Sequence, residues 1–369
     1  MSRPRNQNKG SAEPGILKTA MPGRYKTIDR EVKNMVNSVK TAGKMKTDKM
    51  EALKSKLLYR LKTGKWAGTI ARYAILILLA YQLIYPVIYM ISASVKAPID
   101  SYDPSVIWIP KHLSATGFTD AFKTMKYMDA LVRSLGIGLG CAVLDVVSCA
   151  LAGYGFARYK FPLKSFFFAC VILTLIVPTQ TIILPYYMNM RYFDPLGVMT
   201  LFSKITGSET MINLVGSNLS FFIPSALGAG IRSGLYIYIF KQFFEGMSAA
   251  LEESAYVDGS GPLRTFLYIM LPNAKNAIIT VFLFSFVWHF NDYYLSKQLL
   301  GTGKRTLIVA LSSLRVDLAA VIGGQTTTDP IRIQTRIQAG CLLTILPMFL
   351  LYIVTQRKLA DSIEHIGIK

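Results

Sequence analysis

Six stretches of this chain are apolar over a length that matches a bilayer, a pattern that a soluble domain of 369 residues rarely holds. A helix needs about 20 predominantly apolar residues to cross the hydrocarbon core. Residues 73–95 form a run of 23 without a charge. The run 134–157 carries only Asp145, 165–189 carries no charge, and in 217–240 the only charge is Arg232. Two more runs fall at 277–298 and 337–355. The predicted fold is an all-α membrane protein with six transmembrane helices, its spanning domain covering 71–369.

The net charge of +20 belongs to that topology rather than to nucleic-acid binding. Residues 1–72 hold 18 Lys/Arg against 5 Asp/Glu, which is +13 of the +20. Basic residues beside spans mark the cytoplasmic face. Six spans leave both termini on one side, predicted to be the inside. The short connection from Arg158 to Lys164 is basic, as an inner loop should be. The segment 297–336, with six basic and two acidic residues, opposes this orientation, and three inner segments outweigh it.

Residues 1–28 are Pro-, Gly- and Lys-rich and read as a disordered basic tail. Over 29–70, apolar residues recur at Val32, Met35, Val36, Val39, Met50, Leu53, Leu57, Leu58 and Leu61. Spacings of three and four put them on one face of a basic amphipathic cytoplasmic helix. That helix either lies on the anionic lipid of the inner leaflet or is simply solvated. The first apolar run follows some 70 hydrophilic residues and is too long for a signal-peptide core, so it reads as an uncleaved anchor. Cys141, Cys149, Cys170 and Cys341 all fall in apolar runs without metal-ligand spacing and read as small hydrophobes.

Between the fourth and fifth runs lies a polar stretch with the marks of a short presented helix. Ser248 is placed as an N-cap, and Glu252 and Glu253 sit at the positive end of the helix dipole. Gly259 is placed to end the helix in the left-handed conformation. Pro262 suits the first turn of a second helical piece, and Pro272 interrupts before the fifth run.

The stretch reads Glu253-Ser254-Ala255-x-x-x-Gly259-x9-Ile269-x-Leu271-Pro272. This resembles the EAA loop, the coupling motif of permease subunits in bacterial ABC importers, with Ser254 where that family usually has Ala. The resemblance extends over 71–369. It takes in Tyr85-Pro86, the 151–161 segment Leu-Ala-Gly-Tyr-Gly-Phe-Ala-Arg-Tyr-Lys-Phe, Trp288-x-x-Asn291-Asp292 and the tail from Gln356. It is strongest to carbohydrate-type permeases, the maltose-type smaller subunit in particular.

The resemblance implies a cytoplasmic coupling loop at 245–275, between helices four and five. Glu252, Glu253, Ser254, Ala255, Asp258, Gly259 and Pro272 would then engage a separate ATPase. It also implies a second permease subunit forming a heterodimer, two ATPase subunits and an extracytoplasmic solute-binding protein in the bacterial cell membrane. No cofactor is expected on this chain, ATP and Mg being bound by the partner. The phosphate-cradling G-x-x-x-x-G-K-[ST] is absent from the sequence, so the chain is expected to be a transport subunit and not an enzyme.

A charge at the bilayer centre costs about 2.5–3.5 kcal/mol on insertion scales, so each one needs an account. Asp145 lies 12 residues after Arg133 and 13 before Arg158, near mid-span. Arg232 lies nine residues before Lys241, also near mid-span. The two are expected to pair, either lining the translocation path or fixing helix packing. His289, Asn291 and Asp292 add polarity to the fifth run, as substrate contacts or as interface anchors. The competing reading is an ion-gradient-driven transporter or channel using Asp145 and Arg232.

Overall fold

The computed structural model describes residues 22–194, 197–206, 211–301, 303–322 and 330–367. The expected tail over 1–28 lies outside the described residues as far as residue 21. From Pro22 the chain is helical, and α1 (Pro22–Ser94) continues through the predicted amphipathic segment into the first apolar run. The chain divides into two units, Met1–Ile84 and Tyr85–Lys369. In the first, Val32, Met35, Val36, Met50, Leu53 and Leu58 are exposed.

The second unit is helical, with isolated bridges but no named strand among the described residues. After a 3-10 turn (Pro98–Tyr102) come α2 (Thr116–Thr124) and α3 (Tyr127–Arg158). Next are α4 (Lys164–Ile176), α5 (Thr179–Arg191), α6 (Val198–Thr206), α7 (Leu219–Ala226) and α8 (Ser233–Gly246). A short helix α9 (Ala250–Val257) leads into α10 (Pro262–Thr265), a π turn (Phe266–Met270) and α11 (Leu271–Asn273). The chain closes with α12 (Lys275–Phe290), α13 (Tyr294–Leu300), α14 (Leu307–Ile322) and α15 (Pro330–Gly367).

Among the described residues, three segments are long and apolar enough to cross a membrane unbroken: Gly68–Ser94, Tyr127–Arg158 and Ile331–Gln356. Two bent pairs raise the number to five. The predicted span 165–189 is one of them, with α4 and α5 meeting at 109°. The cause is Pro178, which disfavours helical geometry at the residue before it. Val177 is extended (φ −68°, ψ 122°), and the helix restarts beyond the proline. The second pair joins Pro262–Asn273 to α12 at 79°.

The predicted span 217–240 is not one helix either. Pro224 lies inside α7, and the chain leaves the helix at residues 227–232, with Gly228 at φ +63°. The apolar run over 277–298 likewise stops at Phe290 and restarts at Tyr294. Proline and glycine in an apolar run change the path of the backbone without changing its hydropathy, which is why run length alone joins these pieces.

Helix α3 is the axis of the second unit and packs against α7, α8, α12 and α14. Its approach to α8 depends on Gly153. A Cβ there would lie 2.6 Å from the Phe240 Cβ, 3.0 Å from the Lys241 amide nitrogen and 3.1 Å from the Ile237 carbonyl oxygen. Small residues permit such close helix contact in membranes. Below this contact Tyr154, Tyr236, Phe240 and Phe244 join Phe266 and Met270 of the π turn in one buried cluster. Of the cysteines, Cys141 and Cys149 are buried, whereas Cys170 is exposed.

Candidate functional site

Two places in the second unit concentrate polar groups: the 248–272 loop and a cleft beside the middle of α3. In the loop, Gly259 closes α9 at φ +80°. Its amide donates to the Tyr256 carbonyl at 3.0 Å, and the Ser260 amide donates to Ala255 at 2.9 Å. This is the Schellman pattern, in which a left-handed residue satisfies the free carbonyls of the helix end. The start lies one residue later than the sequence suggests. Ala249 is the cap residue, and Ser248 Oγ accepts the Ala250 amide at 3.3 Å. Gly261 and Pro262 then open α10 as the N-cap and first helical residue.

Burial separates the seven residues expected to face a partner. Glu253, Ser254, Asp258, Gly259 and Pro272 are exposed, whereas Glu252 and Ala255 are buried within this chain. Glu252 Oε2 lies 3.4 Å from the Nε of Arg158, the last residue of α3. The same arginine donates through Nη2 to the Met247 carbonyl at 2.8 Å. Tyr154 packs against Phe266 with ring centroids 4.9 Å apart and the rings tilted by 37°. The loop is thereby fastened to the C-terminal end of α3 by an ion pair, a hydrogen bond and aromatic packing.

The short helix also presents apolar side chains that charge and motif reasoning passes over. Val257 is 88% exposed, and Leu251 and Tyr256 are exposed as well. Their signal is an apolar residue that the chain's own core leaves uncovered, visible only once the helix is placed. Arg158 is a second omission, since its partner lies 94 positions away.

In the cleft, Asp145 is 1% exposed. Its Oδ2 accepts from Ser285 Oγ at 2.6 Å and lies 3.3 Å from His289 Nε2. The expected Asp145–Arg232 pair does not form. Arg232 stands at the N-cap of α8, where its guanidinium lies 3.0 Å from the centroid of the Trp288 ring. The break before α8 displaces it from mid-helix, and Ser285 and His289 of α12 take the carboxylate instead. Asp292 Oδ2 accepts the Ser296 amide at 2.8 Å and holds the first turn of α13. Asn291 caps α12, donating to the Val287 carbonyl at 2.9 Å. Asp145, Arg232, His289 and Asp292 line one cavity of about 80 Å³ together with Trp288 and Tyr186, and Asn291 is not among its walls.

Residues 149–360 match the model of a family described as the binding-protein-dependent transport system inner membrane component. The chain belongs to that family. It is 25% identical over 293 residues to the trehalose transport system permease protein SugB of Mycobacterium tuberculosis, covering 79% of this chain and 94% of that one. It is 26% identical over 314 residues to the maltodextrin transport system permease protein MdxG of Bacillus subtilis, covering 83% and 98%. Its fold is similar to a chain in the crystal structure of a bacterial ABC transporter involved in the import of the acidic polysaccharide alginate. There the TM-score is 0.61 at 18% identity, covering 78% of this chain and 95% of that one. The protein is thus a multi-pass permease of the inner membrane, and this family works with other subunits of an importer. The matched region includes α8, the 248–272 loop and most of α15.

Proposed function

We propose that this chain is one permease subunit of an ATP-driven importer for a carbohydrate, most simply an oligosaccharide. The observation that carries the proposal is the short helix α9, which stands on a loop fastened to α3 and ends in a left-handed glycine. Its exposed Glu253, Asp258 and Gly259 lie beside the exposed apolar Leu251, Tyr256 and Val257. A helix presented in this way suits a groove on a partner protein. In this reading it is the EAA loop, docked on an ATPase that carries ATP and Mg.

The ATPase moves the loop, and the Arg158–Glu252 contact passes that movement into α3. Asp145 lies 13 residues up the same helix, or about 20 Å at 1.5 Å per residue. Alternating access would follow from α3 moving against the broken spans around the cleft. The importer would hold a second, different permease, two ATPase subunits and an extracytoplasmic binding protein. Six passages of the membrane would be completed by counting α7 and α8 as one broken span, with both termini inside. The names of the relatives, trehalose, maltodextrin and galactooligosaccharide permeases, support a carbohydrate substrate.

The test is a mild-detergent pull-down of the tagged chain from its native membrane beside a Gly259→Asp variant. An ATPase retained by the wild type and lost by the variant is the expected result. A clean pull-down without ATPase from either sample would overturn the proposal.

A further inference from the structure

Where α1 ends at Ser94, the chain doubles back along it. The Ala97 amide donates to the His112 carbonyl at 3.0 Å and the Ser114 amide to the Val95 carbonyl at 2.8 Å, closing a loop beside the helix end. Within that loop the Trp108 carbonyl is held by Ser92, two residues from the end of the helix. The Trp108 ring reaches further back to Tyr85, edge to face with centroids 5.1 Å apart. Tyr85 lies nine residues before Ser94, or about 14 Å along the helix at 1.5 Å per residue. The spanning segment Gly68–Ser94 has 27 residues, about 40 Å at the same rise. Centring a hydrocarbon core of about 30 Å on it leaves about 5 Å at each end. The backbone at Trp108 is therefore level with the edge of the core, and its ring packs on a residue below that edge.

The backbone of this segment suits a surrounding that offers no hydrogen bonds. Lys96 Nζ donates to the Val106 carbonyl at 2.7 Å and to the Ile107 carbonyl at 2.8 Å. Ser92, itself buried, donates through Oγ to the Trp108 carbonyl. Three successive acceptors thus take their donors from the chain, and Pro110 has no N–H to satisfy. Lipid tails offer no donors, so backbone brought to their edge has to be satisfied within the protein. The side chains agree with this: Ile107, Trp108 and Ile109 are all exposed, Ile109 at 82%. Tryptophan is also the residue type enriched where acyl chains meet headgroups. Asp103 and Lys111, paired at 2.6 Å in the same loop, supply a polar part for headgroups and water to solvate.

We propose that residues 106–109 form an interfacial wedge, with Ile107, Trp108 and Ile109 seated in lipid at the boundary between headgroups and acyl chains, in the leaflet at the Ser94 end of α1. The occupant is lipid rather than a second polypeptide, because the segment is continuous with the span and is tied by Ser92 and Tyr85 to this depth. The wedge fixes how deep α1 sits. Apolar length alone leaves that free, since a 27-residue run can tilt or slide in a core of about 30 Å. The inference needs the chain to be a membrane permease and does not depend on the importer reading.

The test reads the fluorescence of Trp108 in the full chain, purified with its copurifying subunits into phosphatidylcholine nanodiscs. The Trp108 signal is the difference between wild type and Trp108→Phe, which leaves Trp66, Trp288 and the tryptophans of other subunits unchanged. Phosphatidylcholine brominated near the headgroup end of its acyl chains is the lipid quencher, and acrylamide is the aqueous one. Loss of the larger part of the signal to brominated lipid, with little loss to acrylamide, is the expected result. Ile109→Asp, at a position too exposed to disturb packing, is expected to reverse that order by lifting the segment into water. Quenching of wild-type Trp108 by acrylamide alone would place the segment in water, and quenching by neither would place it under another subunit. Either result overturns the wedge. So does a quenching order left unchanged by Ile109→Asp.

Discussion

The 248–272 loop takes its helix, its turn and its exposed face from one contiguous stretch, whereas the cleft is assembled from α3, the break before α8 and α12. The loop's local geometry follows from residues next to each other in sequence, such as Gly259 closing on Ala255 and Tyr256. The cleft's geometry follows from packing: Asp145 meets Ser285 across 140 positions. A site of the first kind tolerates change in the rest of the fold and fails when its own turn fails. One of the second kind fails whenever the helices that meet there are pushed apart. Helix α3 joins the two, with Arg158 at one and Asp145 at the other.

The largest effect is expected from separating α3 from α8. Gly153→Val puts two methyl groups and a Cβ where the Lys241 nitrogen and Ile237 oxygen already stand at 3.0 and 3.1 Å. Backbone atoms cannot rotate away, and overpacking of this kind costs about 1–3 kcal/mol or more. The variant is expected to lose its monodisperse peak on size exclusion in detergent. A wild-type elution profile would show that α3 and α8 do not meet at this glycine.

Arg158→Gln cuts the link between the loop and α3 and leaves both sites in place. The Arg158 and Glu252 side chains are mostly buried, and a buried charge left alone is expensive. Transport is expected to fall on the order of tenfold while the ATPase still copurifies and hydrolyses ATP. The double reversal Arg158→Glu with Glu252→Arg should recover part of the loss. Equal transport in wild type and Arg158→Gln would mean that movement reaches α3 by another route.

The same division explains what was readable in the chain. Gly259, Pro262 and Pro272 act on their immediate neighbours, so their spacing carries the shape of the loop. Spacing also marks Asp145 and Arg232 as charges needing a partner, but the choice of partner is not local. The break at residues 227–232 turns Arg232 towards Trp288, and α12 brings Ser285 to Asp145. An apolar run reports that a segment prefers lipid, and Pro178 and Pro224 decide whether that segment is straight. Glu252 and Glu253 are adjacent in the motif, yet one is buried and the other exposed. Helical rotation alone offers two faces there, and only the position of Arg158 selects which one turns inward.

A smaller effect is expected from Ser285→Ala, which removes the shortest hydrogen bond to the Asp145 carboxylate. Leaving a buried acceptor with one partner fewer costs about 1–3 kcal/mol. The melting temperature of the purified complex should drop, with ATPase retention unchanged because the loop does not depend on α12 for its turn. Lost ATPase retention would show that the two sites are not separable in this way.

The smallest effect tests a third, contiguous construction, the loop between α1 and α2. Asp100 accepts the His112 amide at 2.6 Å and lies 2.7 Å from the His112 Nδ1. These contacts hold its carboxyl below the ordinary value of 3.8, the backbone amide most strongly, with burial opposing them. A carboxylate with a depressed folded pKa stabilises the fold above its unfolded pKa, and the contribution fades as pH falls through the folded value. Protease protection of residues 96–114 should therefore hold between pH 7 and 5 and weaken only below about pH 4. In Asp100→Asn, which has no charge to lose, protection should be lower at pH 7 and should lack this acid transition. ATPase retention should be the same in both proteins at pH 7, since this loop, like the 248–272 loop, is tied by its own neighbours. An acid transition that survives in Asp100→Asn would assign it to another carboxylate, with Asp103, held low by Lys111 and Ser105 in the same loop, the next to replace.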